Sequence, residues 1–148
     1  MNFWSIVFLA ILFWWLLYKG QKRQRQKIFK IVNSRNGQVV AEKISRANVA
    51  VHRLVGLLNT PFLHAGEALV ISPAKAIHMQ NLAYPLDLVF LDRHLKIVKC
   101  FESLPPSLNK KIYFGGWRSK TAIEFPAGTI QKMDLKVSDQ IEFALVES

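Results

Sequence analysis

The sequence predicts an α+β protein, mainly β: a compact single β-rich domain with one main packed helix, preceded by an N-terminal transmembrane helix. Three observations carry this expectation. The first 18 residues hold no charged side chain. From residue 28 onward, short apolar runs recur between clusters of Gly, Pro, Asn and Asp, as strands and turns do. One stretch carries an apolar stripe at helical spacing. With 148 residues the chain holds one ordinary domain. Its 51% hydrophobic content excludes a disordered tail. Its single Cys excludes a disulfide framework and a four-Cys zinc module.

The opening run reads MNFWSIVFLAILFWWLLY, residues 1–18. As a helix it would be about 27 Å long, close to the hydrocarbon core of a bilayer, and Lys19 can snorkel to close the gap. Trp4 stands near one end and Trp14, Trp15 and Tyr18 near the other, as in an aromatic belt. A soluble helix of this length would show a polar face, and this run shows none. A cleaved signal peptide would need a basic start and a small-residue cleavage site, and Tyr18-Lys19-Gly20-Gln21 is a poor one.

Residues 19–27 read as a polybasic juxtamembrane linker. Lys19, Lys22, Arg23, Arg25 and Lys27, with Lys30 just beyond, are expected at the membrane surface. Residues 1–41 carry seven basic groups and no acid, whereas residues 42–148 carry thirteen basic and ten acidic groups. The positive-inside rule then places the domain in the cytoplasm, at a bacterial inner membrane. A periplasmic or exported domain is the alternative. The basic cluster lacks interleaved aromatics, so nucleic acid is not the expected partner.

Residues 28–148 form the domain. Lys27–Val32 alternates as a strand, Ser34-Arg35-Asn36-Gly37 makes a hairpin turn, and Val39–Ile44 returns. Asn48–Leu58 is the expected helix, with Val51, Leu54, Val55 and Leu58 on one face and Asn48 as its N-cap. Asn59-Thr60-Pro61 stops it. Strands are expected at Glu67–Ile71 and Ala76–Met79. Leu86–Leu91 is apolar on both faces apart from Asp87, as a buried central strand should be. Asp92-Arg93-His94 turns into a strand at Leu95–Phe101. Further strands follow at Lys111–Phe114, Thr121–Phe125 and Gln140–Val146, with Pro126-Ala127-Gly128 a tight turn.

Four pieces stand in a recognisable order: Arg53-Leu54-Val55-Gly56-Leu57-Leu58; Glu67-Ala68-Leu69-Val70-Ile71; Met79 followed by Pro85-Leu86-Asp87-Leu88-Val89-Phe90-Leu91-Asp92; and Ile123-Glu124-Phe125-Pro126-Ala127-Gly128. In this order they resemble the domain of unknown function 192 family of bacteria and archaea, over roughly Ile44 to Val146. The resemblance implies a small β-rich domain and no established activity. Many members are exported, which weighs toward the alternative compartment. The chain departs from the family pattern at three places. His78 stands where an aromatic residue, commonly Trp, precedes the Met. Arg93 and His94 stand where a turn Gly is usual. Ser138-Asp139 replaces a Gly-Asp turn.

Little catalytic chemistry is legible. His52, His64, His78 and His94 have no helical metal-pair spacing, and no metal or cofactor is implied. Cys100 reads as structural, and Gly115-Gly116 as a turn or bulge. Asp92 reads as a turn former. Asp87, if buried, needs a partner. Arg53 is the candidate cation, paired with Asp87 or Glu124, either to fix the helix on the sheet or to form the rim of a ligand site. His78 and Asn81, beside Met79, are candidates for a pocket mouth. The candidate ligand-binding residues are thus Arg53, His78, Asn81, Asp87 and Glu124. The expected function is a membrane-anchored, non-enzymatic binding or assembly module. Its expected partners are the lipid bilayer and an unknown protein, such as envelope, pilus or secretion machinery. The alternative is an enzyme or small-ligand-binding protein built on Arg53, Asp87 and Glu124.

Overall fold

The computed structural model describes residues 29–47, 62–79, 84–106 and 111–146. The apolar run 1–18, the basic linker 19–27, the helix expected at Asn48–Leu58, Arg53 and Asn81 lie outside the described residues. Among the described residues, no helix is long and apolar enough to cross a membrane.

Ten strands and one short helix are described. Strands β1 (Phe29–Asn33), β2 (Gln38–Ala41) and β10 (Ile141–Leu145) form one sheet in the order β10-β1-β2. Strands β3 (Lys43–Ala47), β4 (Glu67–Ile71), β6 (Leu86–Leu91), β7 (Ile97–Leu104) and β9 (Thr121–Pro126) form a second, in the order β3-β4-β9-β6-β7. Strands β5 (Ala76–His78) and β8 (Ile112–Phe114) pair as a ribbon. Helix α1 is one turn, Thr129–Lys132.

The expected hairpin forms: Gly37 takes φ 70° and its N–H donates to the Asn33 carbonyl at 2.8 Å. The expected single strand Val39–Ile44 is corrected to two strands in different sheets. The break is Glu42, because its N–H and that of Lys43 both turn to the Gly66 carbonyl, at 2.8 and 3.1 Å. The strand expected at Leu95–Phe101 begins at Ile97 instead, since Leu95 sits at φ 62°, outside the β region. Lys30, expected at the membrane surface, is a half-buried residue of β1.

The five-stranded sheet has two buried faces, as the continuous apolar runs of β6 and β9 require. One face carries Val70, Val89, Leu91, Ile123 and Phe125 and packs on Ile31, Val40 and Ile141 of the three-stranded sheet. The other carries Leu69, Ile71, Leu86, Leu88, Phe90 and Ala122 and packs on Tyr113 and Ile77 of the ribbon. At Gly115 a Cβ would stand 2.3 Å from the Phe90 ring, so only glycine lets the chain after β8 lie on this face.

Long-range polar contacts tie the ends of the three-stranded sheet to the turn before β10. Buried Asp139 accepts from Asn33 Nδ2 at 2.9 Å, Arg35 Nε at 2.7 Å and the Lys136 N–H at 3.0 Å. Burial acts to raise its pKa, but these donors prevail and hold the carboxyl below the usual range.

Candidate functional site

Sheet register decides whether the candidate carboxylates can meet. Residues directly opposite on antiparallel strands share a face. Asp87 stands opposite Phe125, and Glu124 stands opposite Leu88 and Leu69. Asp87 therefore points to the face packed on the three-stranded sheet, and Glu124 to the face under the ribbon. The structure does not bring the two together.

Asp87 is fully buried, and both its oxygens are engaged. Oδ1 accepts the Ser103 N–H at 2.7 Å, and Oδ2 accepts the Ile130 N–H at 2.7 Å. Helix α1 has Gly128 at its N-cap and no capping side chain, so a carboxylate from β6 does that work. The Ser103 amide needs a partner because φ there is 47°, which takes it out of the regular ladder. The partner expected for Asp87 is thus supplied by two backbone amides. Asp92 forms its expected turn, accepting from the His94 and Lys96 N–H groups at 2.8 and 3.1 Å.

Glu124 is buried at 5% exposure among Leu69, Leu88 and their neighbours. Burial pushes its pKa up to about 7. Tyr84, also buried, has its hydroxyl pKa raised by burial first and by the charge of Glu124 second. The Leu63 backbone beside this hydroxyl acts in the opposite direction. Burial pushes the Cys100 thiol up to about 11, which disfavours the thiolate.

The remaining described candidate, His78, lies on an exposed surface. On the ribbon, His78 pairs with Ile112, and Ala76 pairs with Phe114, so these four side chains share the outer face. The alternate residues Ile77 and Tyr113 turn inward. Trp117, just beyond β8, is 80% exposed and meets Phe114 edge-to-face at 5.4 Å. Lys75 Nζ lies 5.4 Å from the Trp117 ring, and Lys99 Nζ donates to the Phe114 carbonyl at 3.1 Å. Lys111 Nζ lies over Tyr113. Among the described residues, none of these lysines pairs with a carboxylate. Sequence reasoning missed this surface because Ile112 and Phe114 look like core residues until the ribbon's pairing shows which side is covered.

A sequence profile of the family described as uncharacterized ACR, domain of unknown function 192, matches residues 31–143. The chain belongs to the domain of unknown function 192 family. It is 27% identical over 123 residues to a UPF0127 protein of Thermococcus sibiricus, covering 79% of this chain and 76% of that one. A crystal structure of a protein of unknown function from Novosphingobium aromaticivorans shares the fold. Its TM-score is 0.67 at 17% identity, over 78% of this chain and 83% of that one. A candidate transcription regulator from Sinorhizobium meliloti aligns with TM-score 0.62 at 17% identity, over 78% and 91%.

Three of the pieces that carry the family resemblance become β4, β6 and β9, which are neighbours in the five-stranded sheet. At Ser138, one of the positions where this chain departs from the family resemblance, a non-glycine residue takes positive φ, 77°. A side chain at such angles costs on the order of 1–2 kcal/mol. Ser138→Gly should relieve that strain and stabilise this family member by about 1 kcal/mol after the entropy that glycine adds to the unfolded chain. A rise in the urea midpoint at unchanged slope is the expected readout.

Proposed function

We propose that this protein is a non-enzymatic binding module, tethered to a bacterial inner membrane by residues 1–18, whose β5–β8 ribbon seats on the anionic surface of that bilayer. The observation that carries the reading is the outer face of the ribbon. It presents Ile112, Phe114 and Trp117 to solvent with Lys75 and Lys99 against the aromatic pair. An aromatic pair beside lysines that pair with no carboxylate among the described residues is the composition that partitions into an anionic headgroup layer. The basic run of residues 19–30 has the same preference. Residues 19–28, if extended, would reach about 33 Å. That is enough for a domain with a radius of gyration of about 13 Å to turn any face to the bilayer.

The enzyme reading has less support. A site built on Arg53, Asp87 and Glu124 needs its two acids on one face, and Asp87 gives both oxygens to backbone amides.

The test uses the full chain in lipid nanodiscs, with Trp4→Phe, Trp14→Phe and Trp15→Phe so that Trp117 alone fluoresces. Brominated lipids should quench Trp117 in discs containing phosphatidylglycerol and much less in pure phosphatidylcholine. Each lysine near an anionic leaflet is worth on the order of 1 kcal/mol. Lys75→Ala and Lys99→Ala should therefore each weaken the seated state about 5-fold. Quenching that ignores lipid charge, or protection of Trp117 only when a protein partner is added, would refute the bilayer as the occupant.

A further inference from the structure

We infer that a cleft between the two main sheets is a binding site for a small organic monocarboxylate, held by Arg46. The cleft has a volume of about 350 Å³ and is lined by Arg46, Val70, Ser72, Thr121 and Phe143. That volume falls within the ordinary range for small-molecule sites. The inference does not depend on where the ribbon docks.

The topology builds the cleft from both sheets. Arg46 on β3 stands beside Val70 on β4, so its side chain projects on the face that packs against the three-stranded sheet. Ser72 and Thr121 follow at the end of β4 and the start of β9, and Thr121 Oγ1 lies 3.2 Å from Ser72 Oγ. The facing wall comes from β10, through Phe143.

Arg46 is held there. Its guanidinium lies 4.8 Å from the centroid of the Phe29 ring and 5.6 Å from that of Phe143. The rings cover guanidinium surface without neutralising its charge. Among the described residues, no carboxylate pairs with Arg46. An arginine stacked on aromatic rings, with no partner for its N–H fork among the described residues, is preorganised for a bidentate oxyanion.

The remaining wall selects among oxyanions. Arg46 is the one charged residue lining the cleft among the described residues, so it balances a single negative charge. Val70 and Phe143 offer carbon surface, which rewards an apolar body attached to that charge. The Thr121 hydroxyl donates to Ser72, so the guanidinium is the oxyanion's donor. A monocarboxylate with a compact apolar or planar body meets both the single charge and the carbon surface; a phosphate dianion exceeds the first and leaves the second unused.

The probe is sodium benzoate, added to the full chain in nanodiscs and followed by the Nε–Hε resonance of Arg46. Saturable shifts with half-saturation near ~1 mM are expected for a ligand of this size. Benzamide, which has the same shape and no charge, should not shift the resonance. Arg46→Lys keeps the charge and loses the fork. It should weaken binding about 10-fold, read from the Val70 methyl resonances, while the ligand-free methyl spectrum remains that of the folded domain. Equal response to benzoate and inorganic phosphate would overturn the assignment in favour of a bare anion site. So would equal response to benzamide, unchanged affinity in Arg46→Lys, or no saturable shift.

Discussion

Asp87→Ala should destabilise the domain by about 3 kcal/mol, the largest loss expected from any polar residue described. The substitution leaves the Ser103 and Ile130 amides without their acceptor. That costs on the order of 1–3 kcal/mol for the buried Ile130 amide and less for the amide of Ser103, an exposed residue that water can reach. With native domains stable by about 5–15 kcal/mol, the variant sits near the folding threshold. Asp87→Asn keeps one carbonyl acceptor and turns an amide toward the other N–H, so its cost should be about half. Urea unfolding of the two variants beside wild type checks the order Ala, then Asn, then Asp. Equal stability of all three would mean that the clamp between β7 and α1 adds nothing.

Glu124→Gln should be nearly neutral at pH 5 and stabilising by about 3 kcal/mol at pH 8. The sign follows from proton linkage. Burial raises the folded-state pKa to about 7 from an ordinary 4.5, so between these values the folded chain holds a proton that the unfolded chain has released. Stability must then fall as pH rises through this window, by about 1.4 kcal/mol per pH unit. Glutamine has no proton to lose and removes the slope. Asp139 works in the opposite direction. Its pKa is depressed, so its contribution is present above pH ~4 and is lost on acidification. Wild type should therefore be most stable near pH 5. Stability measured from pH 4 to pH 8 on both proteins settles the point. A flat wild-type profile would mean that a cation neutralises Glu124, and Arg53 is the residue to replace next.

Much of the strand pattern was legible because each strand carries its own signal. The alternation of β1, the Asn36-Gly37 turn and the apolar run of β6 are local properties, and the structure places a strand, a turn and a strand there. The split at Glu42 was not legible, since it depends on a carbonyl at Gly66, far along the chain. The same holds for Asp139, whose partners Asn33 and Arg35 each lie more than 100 residues away in sequence. The candidate site suffered most. Asp87 and Glu124 were both identifiable as acids in apolar surroundings, but their faces depend on the register between β6 and β9, and a shift of one residue would put both on the same face. Arg46 gave no signal at all, because its setting comes from Phe29 and Phe143, which belong to another sheet.

The pairing of β1 with β10 has a mechanical consequence. Phe29 stands opposite Leu145, so the two strands present their outer ends together. The hydrogen bonds between antiparallel strands lie across the strand direction. Tension applied between these two ends would load those bonds one at a time, like the teeth of a zip, and never in parallel. Rupture would start at Phe29 and Leu145, beneath the stacked Arg46, and run inward until it met the Asn33 and Asp139 contact at the far end. A domain wired this way yields readily to a pull between its two ends. It is suited to hanging from a single attachment and unsuited to carrying load along a chain of linked proteins.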